Sequence, residues 1–158
     1  ANPIIGVDLV PGRLALAREL GATHTIDARK EDIRKRIAEI TGSGVDYALE
    51  ITALPEMLTL AVDILAPCGT AGQIGGGAPG AEAPISMSRL LLGRTVRGII
   101  QGDSIPRVFI PKLIEMFRRG EFPFDRLVRF YDFAQINQAV ADAATGDTIK
   151  PILRIGKL

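Results

Sequence analysis

Apolar positions along the chain follow two rhythms. Short aliphatic runs alternate with longer stretches in which apolar residues recur every three or four positions, the signatures of strands and amphipathic helices. Ile4-Ile5-Gly6-Val7-Asp8 reads as a first strand, and Pro11-Gly12 makes the turn into a helix from Arg13 to Leu20, closed by Gly21. His24 to Asp27 is a short second strand, and a helix over 30–41 places Ile33, Ile37 and Ile40 on one face before Gly42-Ser43-Gly44. Val45 to Ile51 reads as a third strand, followed by a helix from Pro55 to about Leu65 that is apolar on most sides and therefore expected to be buried. Gly69 to Ile74 predicts a fourth strand running into the loop Gly75 to Gly80. Pro84 to Met87 is read as a short edge strand, Ser88 as the cap of a helical turn through Leu92, and Thr95 to Gln101 as a fifth strand.

The last third continues the alternation. A helix over Pro106 to Arg119 carries Ile110, Leu113, Ile114 and Phe117 as a stripe, with Pro111 expected in its first turn. Leu127 to Tyr131 reads as extended. Asp132 is expected to cap a helix bearing Phe133, Ile136, Val140 and Ala143, Gly146 to close it, and Thr148 to Ile155 to form the final strand. Strands alternating with helices, joined by crossovers long enough for parallel pairing, predict an open, mostly parallel α/β sheet with helices on both faces.

Composition narrows the function classes. The 158 residues suit one domain, and with 47% hydrophobic but only 5% aromatic residues the core must be aliphatic, as a helix-covered parallel sheet requires. Nineteen basic against 18 acidic residues, in no long runs, ask for neither nucleic acid nor a membrane surface. A single Cys (Cys68) and a single His (His24) exclude an internal disulfide and a Cys/His structural zinc site. The lone thiol fits a reducing, cytoplasmic setting. A chain that opens on Ala1 and enters a strand within three residues suggests a fragment.

The candidate chemistry starts at Asp8. A carboxylate at the carboxyl end of such a strand can accept hydrogen bonds from ribose hydroxyls and repel an added phosphate. An ordinary strand ending in Asp has the same look, so both readings stand on these residues alone. The loop over 75–80 is too rich in glycine to hold one shape without a partner. His24 and Cys68 read as structural. Tyr47 and Tyr131 are followed four places on by Ile51 and Gln135, so neither forms the Tyr-x-x-x-Lys pair of short-chain dehydrogenases.

Taken in order, the segments resemble a definite family. Ile4-Ile5-Gly6-Val7-Asp8, Leu20-Gly21-Ala22-Thr23-His24, Gly44-Val45-Asp46, Leu49-Glu50-Ile51 and the loop after Ile74 are similar to the coenzyme domain of zinc-type, medium-chain alcohol dehydrogenases, entered at its second strand. Leu91-Leu92-Gly93-Arg94-Thr95-Val96-Arg97-Gly98 and Ile149-Lys150-Pro151-Ile152-Leu153 complete the match, the former most like aryl (benzyl) alcohol dehydrogenases. The resemblance implies a Rossmann-like sheet that lacks its first strand and helix, and with them the Gly-x-Gly-x-x-Gly turn. It also implies NAD as cofactor. Asp8 and Arg13 would then sit at the adenosine ribose, and Ile51 and Thr52 at the adenine and its ribose. Ile74, Gly75 and Gly76 would line the nicotinamide and its ribose, Gln101 would offer its main-chain N–H to the carboxamide, and Lys150 would meet the pyrophosphate.

No catalytic residue and no metal ligand is expected among these residues, the zinc of the full enzyme lying outside them. The implied activity is oxidation of an alcohol, aromatic in the nearest likeness, to an aldehyde or ketone. The segment alone is expected to be inactive and to leave two strand edges unpaired. A homo-oligomer, dimer or tetramer, is expected through Pro84-Met87. Two other readings compete: a methyltransferase domain, which the Gly75–Gly80 loop and Lys150-Pro151 fit poorly, and a non-catalytic nucleotide-sensing or structural Rossmann-like domain.

Overall fold

A computed structural model describes residues 1–156, in two compact units, the first spanning Ala1–Ser104 and the second beginning at Ile105. The first unit contains β1 (Ile5–Asp8), α1 (Pro11–Glu19), β2 (His24–Asp27), α2 (Ile33–Thr41) and β3 (Val45–Glu50). It continues with α3 (Pro55–Asp63), β4 (Leu65–Gln73), α4 (Met87–Leu90), β5 (Thr95–Gly98) and a 3-10 turn over Gln101–Asp103. The second unit holds α5 (Pro106–Arg118), β6 (Val128–Asp132), α6 (Ile136–Thr145) and β7 (Lys150–Arg154).

Every strand pair is parallel, as the alternation predicts. The strands form three ladders, β1-β2, β3-β4-β5 and β6-β7. Among the described residues β1 pairs only with β2 and β3 only with β4, so each keeps an open edge. That interruption falls where the resemblance puts the first strand of the dinucleotide-binding unit.

The main core of the first unit lies between α3 and β4. Val62, Leu65, Ala61 and Ala71 are buried there, with Val45, Ala48, Ile85 and Val96 packed around them. Small residues on β4 let α3 approach closely, and each fully buried aliphatic side chain contributes about 1.5–3 kcal/mol. Leu14, Ile26 and Ile37 bury the α1 and α2 sides, so Ile37 is the most deeply covered of the three isoleucines predicted on one face.

Several boundaries differ from the sequence reading. Asp32 accepts a hydrogen bond from the Lys35 N–H at 3.0 Å, and this cap starts α2 at Ile33 rather than at 30. β4 begins at Leu65, which belongs to the strand and not to the preceding helix. Val45 N–H donates to Ile64 O at 3.0 Å, drawing the chain straight from α3 into the ladder. The extra residues are absorbed in an irregularity around Cys68, whose φ is +62°, before pairing resumes at Tyr47 with Thr70. Gly44 is required here: its φ is +104°, and a Cβ would lie 2.6 Å from Ala66 N.

Pro84 to Met87 is not a strand: residues 81–86 have no regular structure and Met87 opens α4, with Ser86, not Ser88, at its N-cap. Pro84 has no N–H to give a ladder, and its carbonyl accepts the Thr59 hydroxyl of α3 at 2.9 Å. β5 stops at Gly98, and Gln101 lies instead in a turn with left-handed backbone at Gln101, Gly102 and Asp103. In the second unit Pro106 takes the first helical position and Pro111 sits in the second turn of α5, past the place expected for it. Asp132 and Gln135 form a capping box around a short 3-10 turn that leads into α6, and Gly146 closes α6 in the left-handed region.

Candidate functional site

Parallel strands carry their functional residues at their carboxyl ends. Asp8 ends β1, and its Oδ1 accepts the Val10 N–H at 2.8 Å, which fixes the carboxylate and sets up Pro11 to start α1. Arg13 on the first turn of α1 faces it, with Nη1 3.9 Å from Asp8 Oδ2. The two side chains are 35% and 32% exposed, accessible to a ligand while held near each other. Arg13 Nε is buried without an acceptor. The acid and the base named from the sequence are therefore brought together.

The second cluster lies at the ends of β3 and β4. Its organising residue is Glu50, the buried last residue of β3, which the sequence reading passed over. Its carboxylate accepts from the Thr52 N–H, the Thr52 hydroxyl and, at 3.1 Å, the Ala53 N–H. Its carbonyl accepts from Ile74 N–H at 2.8 Å and Gly75 N–H at 3.2 Å. One residue thus ties the turn after β3 to the turn after β4. Ala53 is held at φ +64°, a conformation costing about 1–2 kcal/mol that the carboxylate offsets. Gly75 packs so close that a Cβ would come within 2.5 Å of Ala53 N, whereas Gly76 has open space around it. The signal available in the sequence was an acid one residue before Ile-Thr at a strand end, on the face shared with Ala48.

Around this hub lie Ile51 and Thr52, expected at the adenine and its ribose, together with Ile74, Gly75 and Gly76, expected at the nicotinamide end. Ile51, just past the strand, is 69% exposed and offers an apolar surface. Gln73 Nε2 donates to Gly75 O at 3.2 Å and steadies the loop. Ile99 N–H donates to Gln73 O at 2.9 Å, so the segment leading to Gln101 leaves the same sheet end. Lys150 opens β7 in the second unit, exposed. His24 Nδ1 lies 3.0 Å from the Thr23 hydroxyl, a local contact, and Cys68 is an exposed free thiol in the β4 irregularity.

No three His, Cys, Asp or Glu side chains among the described residues are placed to hold a metal ion. No helix among them is long and apolar enough to cross a membrane.

Parallel ladders with helical crossovers, an accessible acid at the end of β1 and two locked turns at the ends of β3 and β4 define a Rossmann-like α/β protein. The family of zinc-binding dehydrogenases matches residues 1–119, and the chain belongs to it. Geraniol dehydrogenase of Castellaniella defragrans is 39% identical over 97% of this chain and 42% of its own length. Among solved structures, an alcohol dehydrogenase zinc-binding domain protein from Burkholderia ambifaria is 53% identical with a TM-score of 0.95, over 99% of this chain and 43% of that one. Benzyl alcohol dehydrogenase from Acinetobacter calcoaceticus is 44% identical with a TM-score of 0.96, over the same shares. The chain spans less than half the length of these relatives. The zinc in the family's name does not fit the described residues, which offer no ligand set for it.

Proposed function

We propose that this chain carries coenzyme-holding residues of an NAD-dependent alcohol dehydrogenase and none of its catalytic groups. The observation that carries the reading is the carboxylate of Asp8, fixed by the Val10 N–H yet left accessible beside Arg13. A nicotinamide dinucleotide fits the donor set: the carboxylate accepts from ribose hydroxyls, and the buried Arg13 Nε lacks an acceptor that a bound nucleotide can supply. Ile51 and Thr52 would wall the adenine and its ribose. Ile74, Gly75, Gly76 and the Gln101 N–H would hold the nicotinamide end, and Lys150 would meet the pyrophosphate as a point charge rather than a fork.

When bound, NAD would supply the hydride acceptor for oxidation of an alcohol to an aldehyde or ketone. The residues of this chain orient the nicotinamide ring and exclude NADP. The names of the geraniol and benzyl alcohol relatives support an alcohol substrate, and the second an aromatic one. A homo-oligomer is part of the same reading.

The test is a fluorescence titration with NADH and NADPH of the full chain, in the length in which it is made, and of its Asp8→Asn variant. NADH preference should fall at least about tenfold in the variant, the loss of a charge-assisted hydrogen bond and of repulsion toward the extra phosphate. An unchanged NADH-to-NADPH ratio would remove Asp8 from the ribose site.

A further inference from the structure

A second site lies at the other end of the β3-β4-β5 ladder. Gly44, Leu65 and Arg94 stand at the amino ends of these strands and line a cavity of about 250 Å³. Six residues of β3 separate it from the turns at the carboxyl ends, roughly 15–20 Å along the strand. The cavity is therefore not part of the coenzyme site.

Its charge is its distinguishing feature. Arg34, Arg89 and Arg94 all line it against one acid, Asp63, which leaves a side-chain charge of +2 (three guanidinium groups minus one carboxylate). The ends of α2 and α3 contribute about half a negative charge each, so the balance stays positive. Arg34 is paired with Asp63 at 2.8 Å. Arg94 is only 9% exposed, and its Nε and Nη2 donate to the Ala66 and Leu65 carbonyls just past α3. Its Nη1 is buried and meets no acceptor. An unmet N–H on a buried charged group is costly, and with Nε and Nη2 held by carbonyls Nη1 is the donor left for an oxygen of an oxyanion. Arg89, exposed on α4, brings a second guanidinium to the same cavity. The volume holds several waters or one small oxyanion with part of its hydration, a water's share of liquid being about 30 Å³.

We propose that Arg89 and Arg94 form a binding site for a phosphate group, distinct from the coenzyme site. The phosphate supplies the acceptor that Arg94 Nη1 lacks, and Arg89 closes on its outer oxygens. The ion source is either free phosphate or a phosphomonoester.

The experiment is a calorimetric titration of the full chain with inorganic phosphate, at an ionic strength held constant with chloride. Saturable binding that Arg89→Gln weakens at least about tenfold, while Lys150→Gln leaves it within about twofold, is the expected result. Arg89 is exposed, so this variant tests the site without disturbing the core. Arg94→Lys, which keeps the charge and removes Nη1, should weaken it similarly. Methyl phosphate binding as well as phosphate would assign the site to a monoester, and phosphate alone to the free ion. Three results would overturn the proposal: no saturation by 100 mM phosphate (roughly −1.4 kcal/mol, below any built site), equal binding by Arg89→Gln, or a loss in Lys150→Gln as large as in Arg89→Gln.

Discussion

Helix α3, apolar on most sides, and helix α5, with its apolar stripe, both ask for burial in sequence, yet they end up in opposite situations. The shorter one, α3, buries Leu60, Ala61 and Val62 in succession. The longer one, α5, buries none of its residues, although its stripe of Ile110, Leu113, Ile114 and Phe117 is the more regular. The difference lies in the opposing surface. β4 faces α3 with Leu65 and Ala71, a large and a small residue that interdigitate with it. In its own unit α5 is anchored at its C-terminal end, where the Phe117 ring lies 4.7 Å from Phe124, itself 5.7 Å from Phe122. A hydrophobic stripe states that a face prefers burial. It does not state that a partner face is at hand.

The largest effect that separates the two helices is core truncation. Leu65→Ala, at a residue 1% exposed, should lose about 2–5 kcal/mol in urea unfolding. Ile110→Ala, on the open stripe at 53% exposed, should change stability by only about 0.5 kcal/mol. Comparable losses from both would mean that the α5 stripe is covered in solution, and the contrast would fail.

An intermediate effect belongs to Glu50, which stabilises turns rather than a core. Glu50→Ala leaves the Thr52 and Ala53 N–H groups without their acceptor and should cost about 1–3 kcal/mol. Glu50→Gln retains one acceptor oxygen and should cost less. Amide hydrogen exchange at Ile74 and Gly75 is the sharper measure, since both donate to the backbone of Glu50 and not to its side chain. If the turn after β4 stays protected when the turn after β3 loosens, the two turns are not one unit.

What the sequence made legible follows from where local rules decide the outcome. The strand-helix alternation and the Gly146 stop came from short-range signals and stand as read, whereas Pro11 and Gly12, read as the turn into α1, are its first two residues because Val10 takes the N-cap. The start of β4 at Leu65 did not, because it depends on Val45 reaching back to Ile64, a long-range hydrogen bond with no local signature. Pro84 looked like an edge strand until Thr59 claimed its carbonyl. Glu50 was hidden for a related reason. An acid in an aliphatic strand reads as a solvated position, and only the convergence of two distant turns turns it into an anchor.

The smallest expected effect concerns α6, which is fixed by polar groups where α3 is fixed by apolar ones. Buried Tyr131 on β6 donates its hydroxyl to Asp142 Oδ2 at 2.7 Å and lies 2.6 Å from the buried Thr148 hydroxyl. The Tyr131 hydrogen bond, then that of Gln138, with help from the Arg129 charge, hold the Asp142 carboxyl below its ordinary value of 3.8, against the opposing effect of desolvation. A carboxylate whose pKa is depressed by folding contributes stability that is present above the unfolded value and lost as pH falls through the folded one. The pinning of α6 by Asp142 should therefore be intact at neutral pH and fade only below about pH 4. Tyr131→Phe removes the leading cause, so it should move the Asp142 midpoint upward in a carboxyl-carbon NMR titration and shrink the acid-dependent part of stability. The α3 core carries no titrating group among Leu60, Ala61 and Val62, so Leu65→Ala should lower stability equally at pH 3 and pH 7 (within about 0.5 kcal/mol, the usual additivity of distant sites). A midpoint that does not move in Tyr131→Phe would show that Gln138 on α6 and Arg129 on β6 suffice, and the Tyr131 hydroxyl would then be no part of the polar anchor of α6.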